Sequence, residues 1–161
     1  MKLGEVLRPL KIVHAALMGS IVVYAVIAFV VTAPGHTKKA TLTTLDPTLI
    51  LSVFGGAALA ILVAIPIVRR SAMPPLSDTD ERIDLQQEVD PDVNAMLGKL
   101  RGGLIATWAL CESIAIFGLV AAFLFQTGWY VLPFGGVAIL AQLFYAPGEL
   151  VLARAIRGMR R

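Results

Sequence analysis

The charges of this 161-residue chain fall in a few blocks, and between the blocks lie four long runs almost without charge. These runs, at residues 12–33, 48–68, 104–125 and 129–151, are each close to the ~20 apolar residues that cross about 30 Å of hydrocarbon as a helix. Inside a bilayer only a helix or a closed barrel satisfies every backbone N–H and C=O. Unbroken apolar runs of this length, rather than short alternating ones, select the helix. With 57% hydrophobic and 16% charged residues, the chain is too apolar for an ordinary soluble domain. The expected fold class is therefore all-α: a four-transmembrane-helix integral membrane protein, two hairpins joined by an acidic loop, forming one membrane domain over residues 1–161.

The first run follows Lys2, Arg8 and Lys11, as the core of a signal peptide would. It is longer than the 7–15 apolar residues of such a core, and Pro34 stands directly after Ala33 where cleavage would have to occur. It reads as a retained anchor. The single cysteine, Cys111, falls inside the third run, so neither a disulfide framework nor a cysteine metal site is expected.

Orientation follows from the basic residues of the connecting segments. Lys2, Arg8 and Lys11 precede the first run; Arg69, Arg70, Arg82, Lys99 and Arg101 lie between the second and third; Arg154, Arg157, Arg160 and Arg161 follow the fourth. The opposite side has only Lys38 and Lys39, and Gln126-Thr127-Gly128 carries no charge. Both termini and the central loop are expected on the cytoplasmic side. The basic tail then faces lipid headgroups rather than nucleic acid.

Residues 71–100 form the one sizeable polar piece. It holds seven of the eleven acids, Asp78, Asp80, Glu81, Asp84, Glu88, Asp90 and Asp92. They are scattered, with no calcium-loop spacing, and read as a solvated linker. Asp90-Pro91-Asp92 is a helix start, with Asp90 as N-cap and Pro91 at the first helical position. The third helix is therefore expected to project into the cytoplasm as far back as Pro91. Within the membrane, Ser52, Gly56, Ala60 and Ala64 recur every four residues on the second helix, a small-residue ridge expected to make bundle contacts. Ala15 with Gly19, and Gly118 with Ala122, offer similar patches. Trp129 and Tyr130 open the fourth run where an aromatic belt would sit, with Pro133 and Pro147 in its first and last turns.

Glu112 is the exception to all this apolarity. A carboxylate at such depth costs at least ~2.5–3.5 kcal/mol on insertion scales. It lies eight residues in from Leu104, about 12 Å of helix, a depth that the same count assigns to Ser20, Ala60 and about Leu143. Gln142 is then the first candidate partner, followed by Ser20, with Ser113 beside the acid in the chain. No run contains a lysine or arginine. Without a counter-charge, burial favours the neutral form, so Glu112 is expected to carry a proton at rest. Two roles are open to such a group: a hydrogen bond between helices, or a carboxyl that takes up and returns a proton or cation. His14 and Glu149, both near the cytoplasmic edge, are a candidate interfacial pair. Tyr24, Ser113 and Tyr145 read as packing residues with local hydrogen bonds.

The stretch Lys99-Leu100-Arg101-Gly102, followed by Ala109-Leu110-Cys111-Glu112-Ser113-Ile114-Ala115-Ile116-Phe117-Gly118-Leu119-Val120, resembles the ion-binding helix of ATP synthase subunit c. By that resemblance Glu112 matches the proton- or sodium-binding carboxylate, and Phe117 stands where that family usually has tyrosine. The likeness covers about a sixth of the chain, and neither of the first two runs has that family's glycine repeat. Over its whole length, and through Thr107-Trp108-Ala109-Leu110-Cys111-Glu112, the chain more closely resembles small, uncharacterised four-helix bacterial membrane proteins. That resemblance implies a multi-pass protein of the bacterial inner (cytoplasmic) membrane and names no activity.

No H-E-x-x-H, G-x-S-x-G, P-loop or dinucleotide-binding glycine pattern occurs. The expected function is that of a non-enzymatic membrane protein without cofactor or metal, an accessory or homo-oligomer-forming subunit of a membrane complex in which Glu112 is a buried protonated carboxyl. The alternative is a proton- or cation-translocating, proteolipid-like subunit with Glu112 as carrier.

Overall fold

Among the described residues three helices are long and apolar enough to cross a membrane, over Arg8–Val31, Pro47–Ser71 and Leu100–Leu124. A computed structural model describes residues 3–33, 46–72 and 91–146. In chain order these form α1 (Leu3–Val31), α2 (Pro47–Ala72), α3 (Pro91–Leu124), a 3-10 turn (Gly128–Tyr130) and α4 (Val131–Phe144). Asp46 caps α2: its carboxylate accepts the Thr48 N–H at 2.8 Å, and Pro47 at the first position has no N–H to leave unpaired.

The link between α3 and α4 is tight. The Thr127 N–H returns to the Ala122 carbonyl and the Gln126 N–H to that of Phe123, the paired bonds that close a helix with a left-handed residue. That residue is Gln126, at φ 52°, and its side-chain Nε2 donates to the Phe123 carbonyl at 2.8 Å.

α4 is shorter than the fourth apolar run suggests. Helix was expected over 129–151, but Trp129 and Tyr130 lie in the 3-10 turn and Tyr145 leaves the helix at φ −100°, ψ 20°. Pro147 accounts for the early end, because its ring disfavours helical backbone at Ala146 and it offers no N–H to the Leu143 carbonyl. The remainder of that run, from residue 147, lies outside the described residues, as do most of the acidic loop and the basic tail.

α3 is the central element, in contact with α1, α2 and α4. Ile21 of α1, Ala58 of α2, Ile114 and Ala115 of α3, and Ala138 of α4 meet in one buried cluster; nearer the α3–α4 link, Ala28, Ala122 and Val131 form a second. Gly118 brings α3 and α4 together, since a Cβ there would lie 2.7 Å from the Phe134 Cβ. The ridge expected to pack α2 does not. Ser52, Gly56 and Ala60 are exposed, and among the described residues no atom of another helix lies within 4 Å of where a Cβ on Gly56 would be. The face turned to α3 instead carries Ile50, Ala58 and Ile65. The stack of Phe54 on Phe117, with centroids 5.5 Å apart and planes at 14°, sets this rotation: larger side chains offer more dispersion contact than a glycine ridge. Ala15 and Gly19 likewise face outward.

Candidate functional site: a carboxyl held by two hydroxyls

Ser20 and Tyr24 stand one helical turn apart on α1, so their side chains lie on one face, above one another. That face meets α3 at Glu112. Ser20 Oγ donates to Glu112 Oε1 at 2.5 Å and Tyr24 Oη donates to the same oxygen at 2.6 Å. The Leu17 carbonyl, 2.7 Å from Ser20 Oγ, is the alternative acceptor for that one hydroxyl proton. The carboxyl is half-buried, beside Ile21, Ile114 and Ala115, which are almost wholly covered. Among the described residues both hydrogen-bond partners of Glu112 are neutral hydroxyls, and both fall on one of its two oxygens.

The chemistry follows from that division. A neutral carboxylic acid has one carbonyl oxygen with two lone pairs; Oε1 in this role accepts both hydroxyls while Oε2 carries the proton. An ionised carboxylate would keep the same two bonds, now at the 2.5–2.7 Å expected of charge-assisted O–H···O⁻ contacts. The hydroxyl pair therefore fits both protonation states without rearrangement. The depth is also sharper than counted from Leu104. The apolar span of α3 runs from Leu100 to Leu124, and Glu112 is twelve residues from either end, at its midpoint.

Of the residues singled out in the sequence, the structure joins Ser20 to Glu112. Gln142 is not joined to it. It is fully buried, with Nε2 3.5 Å from the Trp108 carbonyl and Oε1 without a hydrogen-bond partner among the described residues. The register explains the discrepancy. The tight α3–α4 link sets Gly118 against Val131 and Phe134, and Gln142 against Trp108, so the level of Glu112 falls near Ala138, one turn away. Counting from the ends of the apolar runs had placed it near Leu143. Ser113 is not in the site either, its hydroxyl donating back to the Ala109 carbonyl at 2.9 Å.

His14 lies about two turns from Ser20 along α1. Its Nε2 is 3.2 Å from the Gln142 carbonyl, and its ring meets the edge of Trp108 at 4.9 Å between centroids. Its candidate partner Glu149 is outside the described residues. Trp108 itself is fully buried, and its indole N–H donates to the Tyr145 carbonyl at 2.9 Å. Tyr24, expected to be a packing residue with a local hydrogen bond, instead reaches across to Glu112 on another helix. Its four-residue spacing from Ser20 was the available signal.

Comparison with protein-family models, with curated protein sequences and with solved structures finds no match to this chain.

Proposed function

We propose that this chain is a small, non-enzymatic, multi-pass membrane protein, an accessory or oligomer-forming subunit, in which Glu112 is a protonated carboxyl that ties α1 to α3. The observation that carries this reading is the convergence of Ser20 and Tyr24 on Glu112 Oε1. A neutral acid with both carbonyl lone pairs occupied is far less costly in an apolar bundle than a bare carboxylate. In this reading the apolar helix Gly128–Phe144 is the fourth membrane segment, and the basic blocks set both termini and the 71–100 loop on the cytoplasmic side of a bacterial inner membrane. The outward-facing Val22, Val26, Val53, Leu59, Val63 and Leu140, each more than half exposed, then face acyl chains.

A second reading is reversible proton or cation carriage by Glu112. One observation favours it: the half-buried carboxyl has Oε2 outside the hydroxyl pair, leaving an oxygen on which a proton can exchange while Oε1 stays held. The resemblance of this helix to the ion-binding helix of ATP synthase subunit c points the same way. Glu112→Gln separates the two. Glutamine keeps the carbonyl acceptor and loses the exchangeable acid, so a structural group predicts a folded protein with unaltered proton permeability in vesicles. Loss of a pH-driven flux in that variant would transfer the function to carriage. Rapid, pH-dependent labelling of Glu112 by a hydrophobic carbodiimide would do the same.

A further inference from the structure

The carboxyl of Glu112 is closed in on one side only. Of its neighbours one helical turn away on α3, Trp108 and Ala115 are fully buried, whereas Ala109 and Ile116 are exposed. Building on the reading of Glu112 as a protonated carboxyl in a bilayer, we propose that it is a lateral site for a lipid-soluble amine. The amine reaches Glu112 from the hydrocarbon between α1 and α2 and takes the proton from Oε2.

Three observations set the direction of the opening. The exposed stripe Ile105, Ala109, Ile116 and Val120 of α3 runs between the Glu112 line, which meets α1, and the Phe117 line, which takes the Phe54 ring of α2. α1 packs against α3 and α4, and α2 chiefly against α3, so among the described residues no helix covers that stripe. On α1, Ser20 stands at the matching edge. Ala16 and Val23, one turn to either side of it, are exposed, while Ile21 is buried and His14, on the opposite flank, bonds the Gln142 carbonyl of α4. The third observation is Oε2 itself, which lies outside the hydroxyl pair and is not among the enclosed polar atoms of the described bundle.

The surroundings select the ligand. The opening lies at the midpoint of the Leu100–Leu124 span and is edged by Ala16, Val23, Ala109 and Ile116, so a ligand arrives through hydrocarbon, where a bare ion is strongly disfavoured and a neutral molecule is not. The nearest described cation along α3 is Arg101, eleven residues from Glu112, or about 16 Å of helix. A neutral acid that faces lipid without an internal counter-charge is complemented by a neutral base.

The step needs no other reactant. The amine lone pair takes the proton, the Oε2–H bond breaks, an N–H bond forms, and an ammonium–carboxylate pair remains. An apolar medium opposes such a pair through the desolvation of both charges. Ser20 and Tyr24 offset that cost, because O–H groups aimed at Oε1 bind a carboxylate about twice as strongly as a neutral acid.

The test uses the full chain in phosphatidylcholine nanodiscs at neutral pH, titrated with dimethyloctylamine or trimethyloctylammonium. Binding is followed by infrared difference spectroscopy and by calorimetry, with empty nanodiscs subtracted. The carboxylic-acid band of Glu112, assigned by its absence in Glu112→Gln, is expected to give way to carboxylate bands as dimethyloctylamine binds. Trimethyloctylammonium, which has no lone pair for the proton, should bind at least about ten-fold more weakly, and so should dimethyloctylamine to Glu112→Gln, the loss of a hydrogen bond between charged groups. Ala109→Phe, which fills the exposed strip beside Glu112, should weaken amine binding several-fold while the acid band stays; Leu140→Phe, exposed on α4, should change neither. Should Glu112→Gln fail to fold, Tyr24→Phe takes its place: the acid band persists and amine binding falls about five-fold with the loss of one charge-assisted donor. An acid band that persists throughout the amine titration, equal binding of trimethyloctylammonium, or an Ala109→Phe protein that binds as well as the parent would each overturn the inference and leave the protonated tie between α1 and α3 standing. Absence of any acid band at neutral pH would overturn both.

Discussion

Tyr24→Phe is the substitution that interrogates the Glu112 site most directly. It removes one O–H donor and leaves the ring in place against the buried cluster at Ile21 and Ile114. The cost depends on the charge of the acceptor. A hydrogen bond to a neutral carboxyl oxygen contributes ~0.5–1.5 kcal/mol net, and one to a charged group ~1.5–3 kcal/mol. The 2.6 Å contact is short enough for either, so the mutation measures what the distance cannot. If Glu112 is protonated at rest, Tyr24→Phe should cost about 1 kcal/mol in the parent and the same in a Glu112→Gln background, because glutamine offers an equivalent carbonyl oxygen. The coupling energy of that cycle should then lie within the ~0.3–0.5 kcal/mol scatter of independent sites. The assay is reversible unfolding in mixed detergent micelles at neutral pH, followed by circular dichroism across the four proteins. A cost of ~2–3 kcal/mol in the parent that falls to ~1 kcal/mol in the Glu112→Gln background would refute the neutral acid and show a carboxylate sustained by two hydroxyls.

Two other sites give opposing expectations on the same assay. Gly118→Ala should destabilise by about 1–3 kcal/mol, because the new Cβ meets the Phe134 Cβ at 2.7 Å, whereas Gly56→Ala, in open space on α2, should be neutral or gain roughly 0.5–1 kcal/mol from helix propensity; a destabilised Gly56→Ala would mean that the α2 ridge packs after all. Gln142→Leu should stabilise by about 1 kcal/mol by removing a buried carbonyl oxygen that has no partner, and a loss of that size instead would show Gln142 engaged with a group in the bundle.

The three long apolar helices were legible from charge spacing, because the absence of Lys, Arg, Asp and Glu over some twenty residues is a one-dimensional property that folding does not change. The pairing of Glu112 with Ser20 was within reach for a related reason: distance along a helix is a count multiplied by a rise. Tyr24 was not, although it lies one turn from Ser20. α1 is apolar on nearly every face, so its sequence carries no stripe to say which side turns inward.

Rotation and register were decided only in three dimensions. The glycine and serine ridge of α2 promised close packing, yet Phe54 against Phe117 turned it outward. Gln142 was matched to Glu112 by counting from the ends of two apolar runs, but the tight Gln126 link sets the α3–α4 register from the hairpin, and Gln142 falls level with Trp108. Hydropathy reports how deep a residue lies and is blind to azimuth, because lipid tails and a bundle interior are equally apolar. Which side chain meets Glu112 is therefore fixed by van der Waals fit between helices, and that exists only once they are together.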